Sequence, residues 1–360
     1  MHLTSMNSPD PAPETSADTV PAAPSSLTEA LRLPSDACAE VEQLMLTLAD
    51  DHLTGPLLAF AHEHIATGGK RIRARLALTA AHDLGVPYAS ASPWAAACEL
   101  LHNASLIHDD IQDSDRTRRG APALWVRHGV SQAINAGDAL LMLPYAALGR
   151  CVPALIPSLV ACLARRAALT ACGQSLELAL GDAVPISWRS FISVADGKSG
   201  QFFALPIEGA CLLAGLPPSQ ATAIADASCA LGILYQTLDD LLDLHDELRG
   251  NPEGHDVARG RVTALTCLHL DLYPADSPCL PGLSASPVTA PQLLRLLSQP
   301  NRDTLSHLAR FARTQADALA RDPSLLLAPP LRATLLSLSA LFAQSIQSLA
   351  SSLTALGRTP

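Results

Sequence analysis

Residues 93–113 read PWAAACELLHNASLIHDDIQD, and residues 221–244 read ATAIADASCALGILYQTLDDLLDL. In both stretches apolar residues recur every three to four positions, with no alternating β-branched run, which is the pattern of amphipathic helices. Each helix carries the same ending, D-D-x-x-D, on an otherwise apolar sequence. Positions i and i+4 share a helix face, so Asp109 with Asp113, and Asp239 with Asp243, can each present two carboxylates in one direction. A solvated turn could hold one such cluster. Two clusters flanked by ASLIH and by LGILYQTL cannot be buried without cations. Asp110 and Asp240 add to the charge. Hard carboxylate oxygens suit magnesium, which keeps some of its water and is completed by substrate phosphates.

Outward from these helices the same period persists, as in AEVEQLMLTL over 39–48, and proline and glycine punctuate it at Gly85-Val-Pro87, Leu216-Pro-Pro218 and Gly250-Asn-Pro252. Aromatics are 4% of the chain, so Leu and Ala fill the core. The expectation is an all-α protein, a single large helical bundle. Residues 1–28 read as a disordered tail rich in Pro, Ala and Ser, with neither a signal nor a transit pattern. Residues 29–360 form the helical domain, with a Pro- and Ser-rich loop at 271–291. The uncharged stretch 333–356 is long enough to span a bilayer, but ten of its 24 residues are Ser, Thr or Gln, so an amphipathic core helix is expected. Nine scattered cysteines without a C-x-x-C point to reduced thiols and a cytoplasmic location. A formal charge of -10 argues against a nucleic-acid partner.

The cations are as selective as the carboxylates. Of 24 basic residues only Lys70 and Lys198 are lysine. Lys70 follows Gly68-Gly69 in GGKRIR, Lys198 lies between glycines in GKSG, and Arg118-Arg119-Gly120 follows the first aspartates. Lysine meets phosphate as a compact point charge and arginine as a planar fork. No G-x-x-x-x-G-K-[ST] nucleotide loop occurs. Carboxylates for magnesium beside glycine-framed cations describe a site for polyphosphate esters.

In these elements, GGKRIR, ELLHNASLIHDDIQDSDRTRRG, GDALL, GKSGQFF and GILYQTLDDLLDL, the chain resembles the trans-isoprenyl diphosphate synthases of the polyprenyl synthetase family, over roughly residues 68–263. The resemblance implies a bundle of the isoprenoid synthase type, usually a homodimer, with a central cavity between the aspartate helices. It implies a magnesium-dependent chain-elongating prenyltransferase that joins isopentenyl diphosphate to an allylic diphosphate. Carried over by position, Asp109, Asp110 and Asp113 form the first magnesium motif and Asp239, Asp240 and Asp243 the second, for three ions per site. Lys70, Arg73, His102 and Arg119 match the isopentenyl diphosphate site. Arg118, Lys198 and Gln236 match residues on the allylic diphosphate. His108 and Asp115 are supporting neighbours.

Short-chain members of the family block the floor before the first aspartate with an aromatic ring. Here Ala104 and Ser105 leave it open, implying geranylgeranyl diphosphate or a longer product. Departures are Ser199 in place of the usual Thr, and Gly254-His255-Asp256 with Gly260-Arg261 where the family carries lysines; Arg261 can still serve a phosphate. A class I terpene cyclase would not need the GGKRIR and His102 constellation. A non-catalytic subunit usually lacks one aspartate motif, and both are complete here.

Overall fold

A computed structural model describes residues 26–357, apart from 32, 34, 35, 251–255, 258, 285 and 300–302. The expected tail therefore lies outside the described residues except at its end. There, Leu27–Ala30 (α1) is already helical, because the Ser26 side chain accepts from the Glu29 N–H and caps it.

The chain continues through α2 (Ala37–His52), α3 (Gly55–Ala66), α4 (Ile72–Asp83) and α5 (Tyr88–Gln112). A two-residue hairpin, Thr117–Arg118 (β1) against Ala121–Pro122 (β2), interrupts the helices. After it come α6 (Leu124–His128), α7 (Val130–Leu148), α8 (Ile156–Leu178) and α9 (Trp188–Ala195). Next follow a π-turn at Asp196–Gly200, then α10 (Gln201–Leu213) and α11 (Pro218–Leu248). The last helices are α12 (Ala264–Leu272), α13 (Ala290–Leu297), α14 (Thr304–Ala320) and α15 (Pro329–Gly357).

The hairpin has a plain cause. Arg119 and Gly120 both take positive φ (53° and 75°), which is the geometry of a tight two-residue turn. Between α12 and α13 the chain is irregular, save for a 3-10 turn at Pro274–Cys279 that seats Leu280 in the core.

Helix α10 explains the architecture. Phe202, Phe203, Leu205, Ile207, Ala210 and Cys211 surround it with apolar groups and it is buried along nearly its whole length. It packs against α4, α5, α8 and α11, so the helices bearing the motifs radiate from one buried rod. Gly209 lets the Trp94 ring of α5 lie against its backbone, and Trp94 Nε1 donates to the Pro206 carbonyl at 3.1 Å. Four polar side chains join α8, α10 and α11. Buried Arg166 donates to Glu208 (2.8 Å), Gln201 (2.7 Å) and Asp226 (2.7 Å).

Among the described residues, two helical stretches, Pro153–Leu178 and Pro329–Gly357, are long and apolar enough to cross a membrane by length and composition alone. The second places Leu331, Leu335, Phe342, Ile346 and Leu353 in the core and packs on α11 and α14.

Candidate active site

The long helices α5 and α11 bring their aspartates to opposite walls of a cavity of about 680 Å³. Its third wall is the start of α4, and its rim is formed by Asp256 and residues 260–263.

At the α4 wall, Gly68 and Gly69 take φ of 75° and 122° and Arg71 takes 49°, so the chain turns sharply into the helix. A side chain at Gly69 would strike the guanidinium of Arg119, which reaches across from the hairpin to the Gly68 carbonyl. Lys70 and Arg73 face the cavity; Arg71 does not serve it as a free cation. It is buried, donating to Glu42 at 3.0 Å and to the Ile65 carbonyl at 2.6 Å. Glu99 of α5 braces the same turn by accepting from the Ala74 N–H at 3.1 Å. Arg73 lies over the Phe202 ring, 5.3 Å from its centroid, and His102 meets that ring edge-on at 5.2 Å. Burial lowers Arg73 below the ordinary arginine value. Burial, with Arg73 beside it, drives His102 well below the histidine range, so its imidazole is neutral. Arg73 Nε and His102 Nδ1 are buried without a hydrogen-bond partner. Such orphaned polar atoms, the Arg73 Nε–H donor among them, mark a place built for a polar ligand.

At the α5 wall, Asp109 and Asp113 line the cavity, one turn apart as the spacing predicts. Asp110 turns instead to Arg118, whose Nε donates at 2.8 Å. Burial raises all three carboxyls, Asp109 to about 6. Lys198 stands 3.8 Å from Asp109 and 2.6 Å from Glu177. Burial lowers the Lys198 ammonium, but Asp109 and Glu177 outweigh it and the net shift is upward.

At the α11 wall, Asp239 and Asp240 line the cavity. Asp240 is already engaged: it accepts from Gln236 at 2.9 Å and from the Ala264 N–H, the start of α12, at 2.7 Å. Burial raises it well above the usual carboxylate value. Asp243 accepts from the backbone N–H of Asp256 at 2.8 Å. The rim is fastened to both motifs. Arg261 reaches Asp115 (2.7 Å), Asp256 (3.2 Å) and Asp113 (3.6 Å), and Arg259 also pairs with Asp115. Burial raises Asp256 to about 6, with Asp243 adding to it. His255 lies outside the described residues.

Of the two chain-length positions, Ser105 lines the cavity and Ala104 does not. Successive helical residues point about 100° apart, and Ala104 packs into the core at 1% exposure. His108 sits against Gly137 of α7, 3.4 Å from Asp138.

The residues present fit magnesium. Among the described residues, no three His, Cys, Asp or Glu side chains converge to enclose an ion by themselves. Carboxylates on facing walls, raised by burial, suit an oxygen-bound dication that keeps water and takes phosphate oxygens as further ligands.

Sequence reasoning missed Glu99, Glu177, Arg259 and Asp256 as members of this constellation. A signal existed for Glu99, a single charge within the apolar run AAACELL. None existed for Glu177, which reaches the site only because α8 packs beside the π-turn.

The polyprenyl synthetase family profile matches residues 56–281. A short chain isoprenyl diphosphate synthase of Methanothermobacter thermautotrophicus is 31% identical over 234 residues, 64% of this chain and 71% of that protein. Two proteins of Mycobacterium tuberculosis also align. The (2E,6E)-farnesyl diphosphate synthase is 32% identical over 197 residues, 54% of this chain and 55% of its own length. The geranylgeranyl diphosphate synthase is 29% identical over 281 residues, 76% of this chain and 75% of its own. Among solved structures, a polyprenyl synthase from Caulobacter crescentus, complexed with calcium and isoprenyl diphosphate, superposes with a TM-score of 0.70 at 23% identity. That superposition covers 89% of this chain and 98% of the other, and shows a shared isoprenoid synthase fold.

Proposed function

The chain belongs to the polyprenyl synthetase family, the trans-isoprenyl diphosphate synthases, and on that premise we propose that it condenses isopentenyl diphosphate with an allylic diphosphate to give geranylgeranyl diphosphate or a longer product. One observation carries this reading. A single cavity is lined by enough phosphate-binding side chains for two diphosphates, Lys70, Arg73, Arg119 and His102, and Lys198, Arg118 and Gln236, together with the carboxylates of Asp109, Asp113, Asp239 and Asp240. One diphosphate would leave one set unused.

Lys70, Arg73 and Arg119 neutralise isopentenyl diphosphate, and the neutral His102 donates or accepts without adding repulsion. Lys198, Arg118 and Gln236 hold the allylic diphosphate, with Arg261 of the rim within reach. When bound, three magnesium ions on the two aspartate motifs supply Lewis-acid neutralisation of the leaving diphosphate. Once they have turned from their carboxylate partners to the bound diphosphate, Arg118 and Lys198 stand where charge grows as the C–O bond breaks, which lowers the barrier. Leu106, Phe191, Phe202 and Tyr235 line the cavity and keep water from the allylic cation. The isopentenyl double bond then attacks, and the released proton passes to the departed diphosphate. Ser105, with its small side chain one turn below Asp109, supports a product beyond fifteen carbons.

We further propose a homodimer. Val130, Ile134, Met142 and Tyr145 of α7 and Leu169 of α8 are exposed, and apolar side chains in such number on adjacent helices suit burial against a second copy. All nine cysteines are free thiols, which suits the cytoplasm. The test is incubation with isopentenyl diphosphate, magnesium and dimethylallyl, geranyl or farnesyl diphosphate, with products separated by chain length. Condensation to a twenty-carbon or longer diphosphate is expected. Folded protein that condenses none of them overturns the proposal.

A further inference from the structure

The π-turn at Asp196–Gly200 closes with the Gln201 N–H bonded to the Asp196 carbonyl, a rare geometry that recurs at functional sites. It carries Lys198, and it is held from both sides in the same way. On α8, Gly173 lies flat against its backbone: a Cβ there would come within 2.5 Å of Lys198 N and 2.9 Å of Gly197 Cα. One turn further along α8, Glu177 grips the Lys198 ammonium at 2.6 Å. On α11, a Cβ at Gly232 would collide with the Ser199 carbonyl and Gly200 N. One turn further along α11, Gln236 accepts from the Ser199 hydroxyl at 2.8 Å. Each helix thus offers a glycine that admits the turn and, four residues later, a polar side chain that fixes one of its members.

We propose that Gly173 with Glu177, and Gly232 with Gln236, form a two-sided clamp in which Gly173, Glu177 and Gly232 are positioning residues setting the Lys198 ammonium for the allylic diphosphate. This rests on the assignment of Lys198 to that substrate under the proposed function. Contacts this close are backbone against backbone, so an added methyl group has no flexible side chain to displace. It must move the turn, and a displacement near 1 Å can cost about 10²-fold in rate. The isopentenyl diphosphate residues stand on α4, α5 and the hairpin and make none of the glycine contacts; their link to the turn runs through the Phe202 ring at the start of α10, under Arg73 and beside His102.

The clamp predicts a split that a general loss of stability does not produce. In Gly173→Ala and Gly232→Ala, KM for geranyl diphosphate should rise at least tenfold, with KM for isopentenyl diphosphate within twofold of the wild type. Glu177→Gln keeps size and shape, and so reports even where the alanine variants fail to fold. It should raise KM for geranyl diphosphate severalfold and leave the other substrate unchanged. Binding of geranyl diphosphate alone with magnesium, measured by calorimetry, should weaken in parallel. Folded variants in which both KM values move together, or neither moves, overturn the clamp. Wild-type protein that condenses no primer overturns the proposed function instead, and with it the role given to Lys198.

Discussion

Replacing Ser105 by phenylalanine tests the product-length argument at the one chain-length position that faces the cavity. Ser105 lies four residues before Asp109 on α5, about 6 Å along the helix at 1.5 Å per residue. An isoprene unit contributes four main-chain carbons, roughly 5 Å extended at about 1.5 Å per bond. A ring rooted at 105 therefore occupies the space of the second to third unit of an allylic chain whose diphosphate sits at Asp109. Forcing a longer chain past it is an overpacking problem, typically costing about 1–3 kcal/mol. At roughly 1.36 kcal/mol per factor of ten, the twenty- to fifteen-carbon product ratio should fall by roughly 5- to 150-fold. The assay uses purified protein, labelled isopentenyl diphosphate and dimethylallyl diphosphate, with dephosphorylated products resolved by chromatography. Ala104→Phe serves as the contrast, because Ala104 is buried in the core and does not line the cavity. It should lower the melting temperature and leave product length unchanged. A folded Ser105→Phe enzyme whose product ratio moves less than twofold refutes the floor argument, and product shortening by Ala104→Phe would relocate it.

Glu208→Gln should destabilise the fold by about 1–3 kcal/mol, since it weakens a buried charge-assisted hydrogen bond while Arg166, 1% exposed, keeps Asp226 and Gln201. Urea titration checks this, and pairing Arg166→Met with Glu208→Leu should cost less than either change alone. Asp109 and Asp256, raised to about 6 by burial, bind protons in the folded state that the unfolded chain releases near 3.9. The metal-free protein should therefore lose stability as pH rises from about 4 to 6.5 through these two groups. Magnesium should raise the melting temperature at pH 7.5 and lose that effect near pH 5, where protons hold the carboxyls; a pH-independent magnesium effect contradicts this. Asp239→Ala with Asp243→Ala should cut turnover by roughly 10²-fold or more through lost electrostatic stabilisation, and near-wild-type turnover would remove the second motif from the mechanism.

The aspartate motifs were legible because their charges stand on helices that are otherwise apolar, and helical spacing alone places Asp109 and Asp113 on one face. Their orientation was not. Asp110 and Asp243 are held by Arg118 and the Asp256 backbone, partners that local periodicity does not specify. The hairpin that delivers Arg118 and Arg119 has two-residue strands, too short for any alternation to show. Lys198 was legible as a lysine between glycines in a nearly lysine-free chain. The reason for those glycines was not, because it lies in Gly173 and Gly232 on helices that meet only in the folded bundle. Ala104 and Ser105 looked equivalent as small neighbours; a 100° rotation per residue separates them.

Every cation on the carboxylate side of this cavity is already occupied: Lys198 by Asp109 and Glu177, Arg118 by Asp110, Arg261 by Asp113, Asp115 and Asp256. A dication arriving alone must draw a carboxylate from its cation and leave that cation uncompensated. A diphosphate arriving alone strands a carboxylate. Arriving together they exchange partners and leave neither stranded, so each ligand should strengthen the affinity of the other by the same factor, as thermodynamic reciprocity requires. The cross-paired site is in this sense a coincidence detector, holding each ligand more tightly once the other is bound.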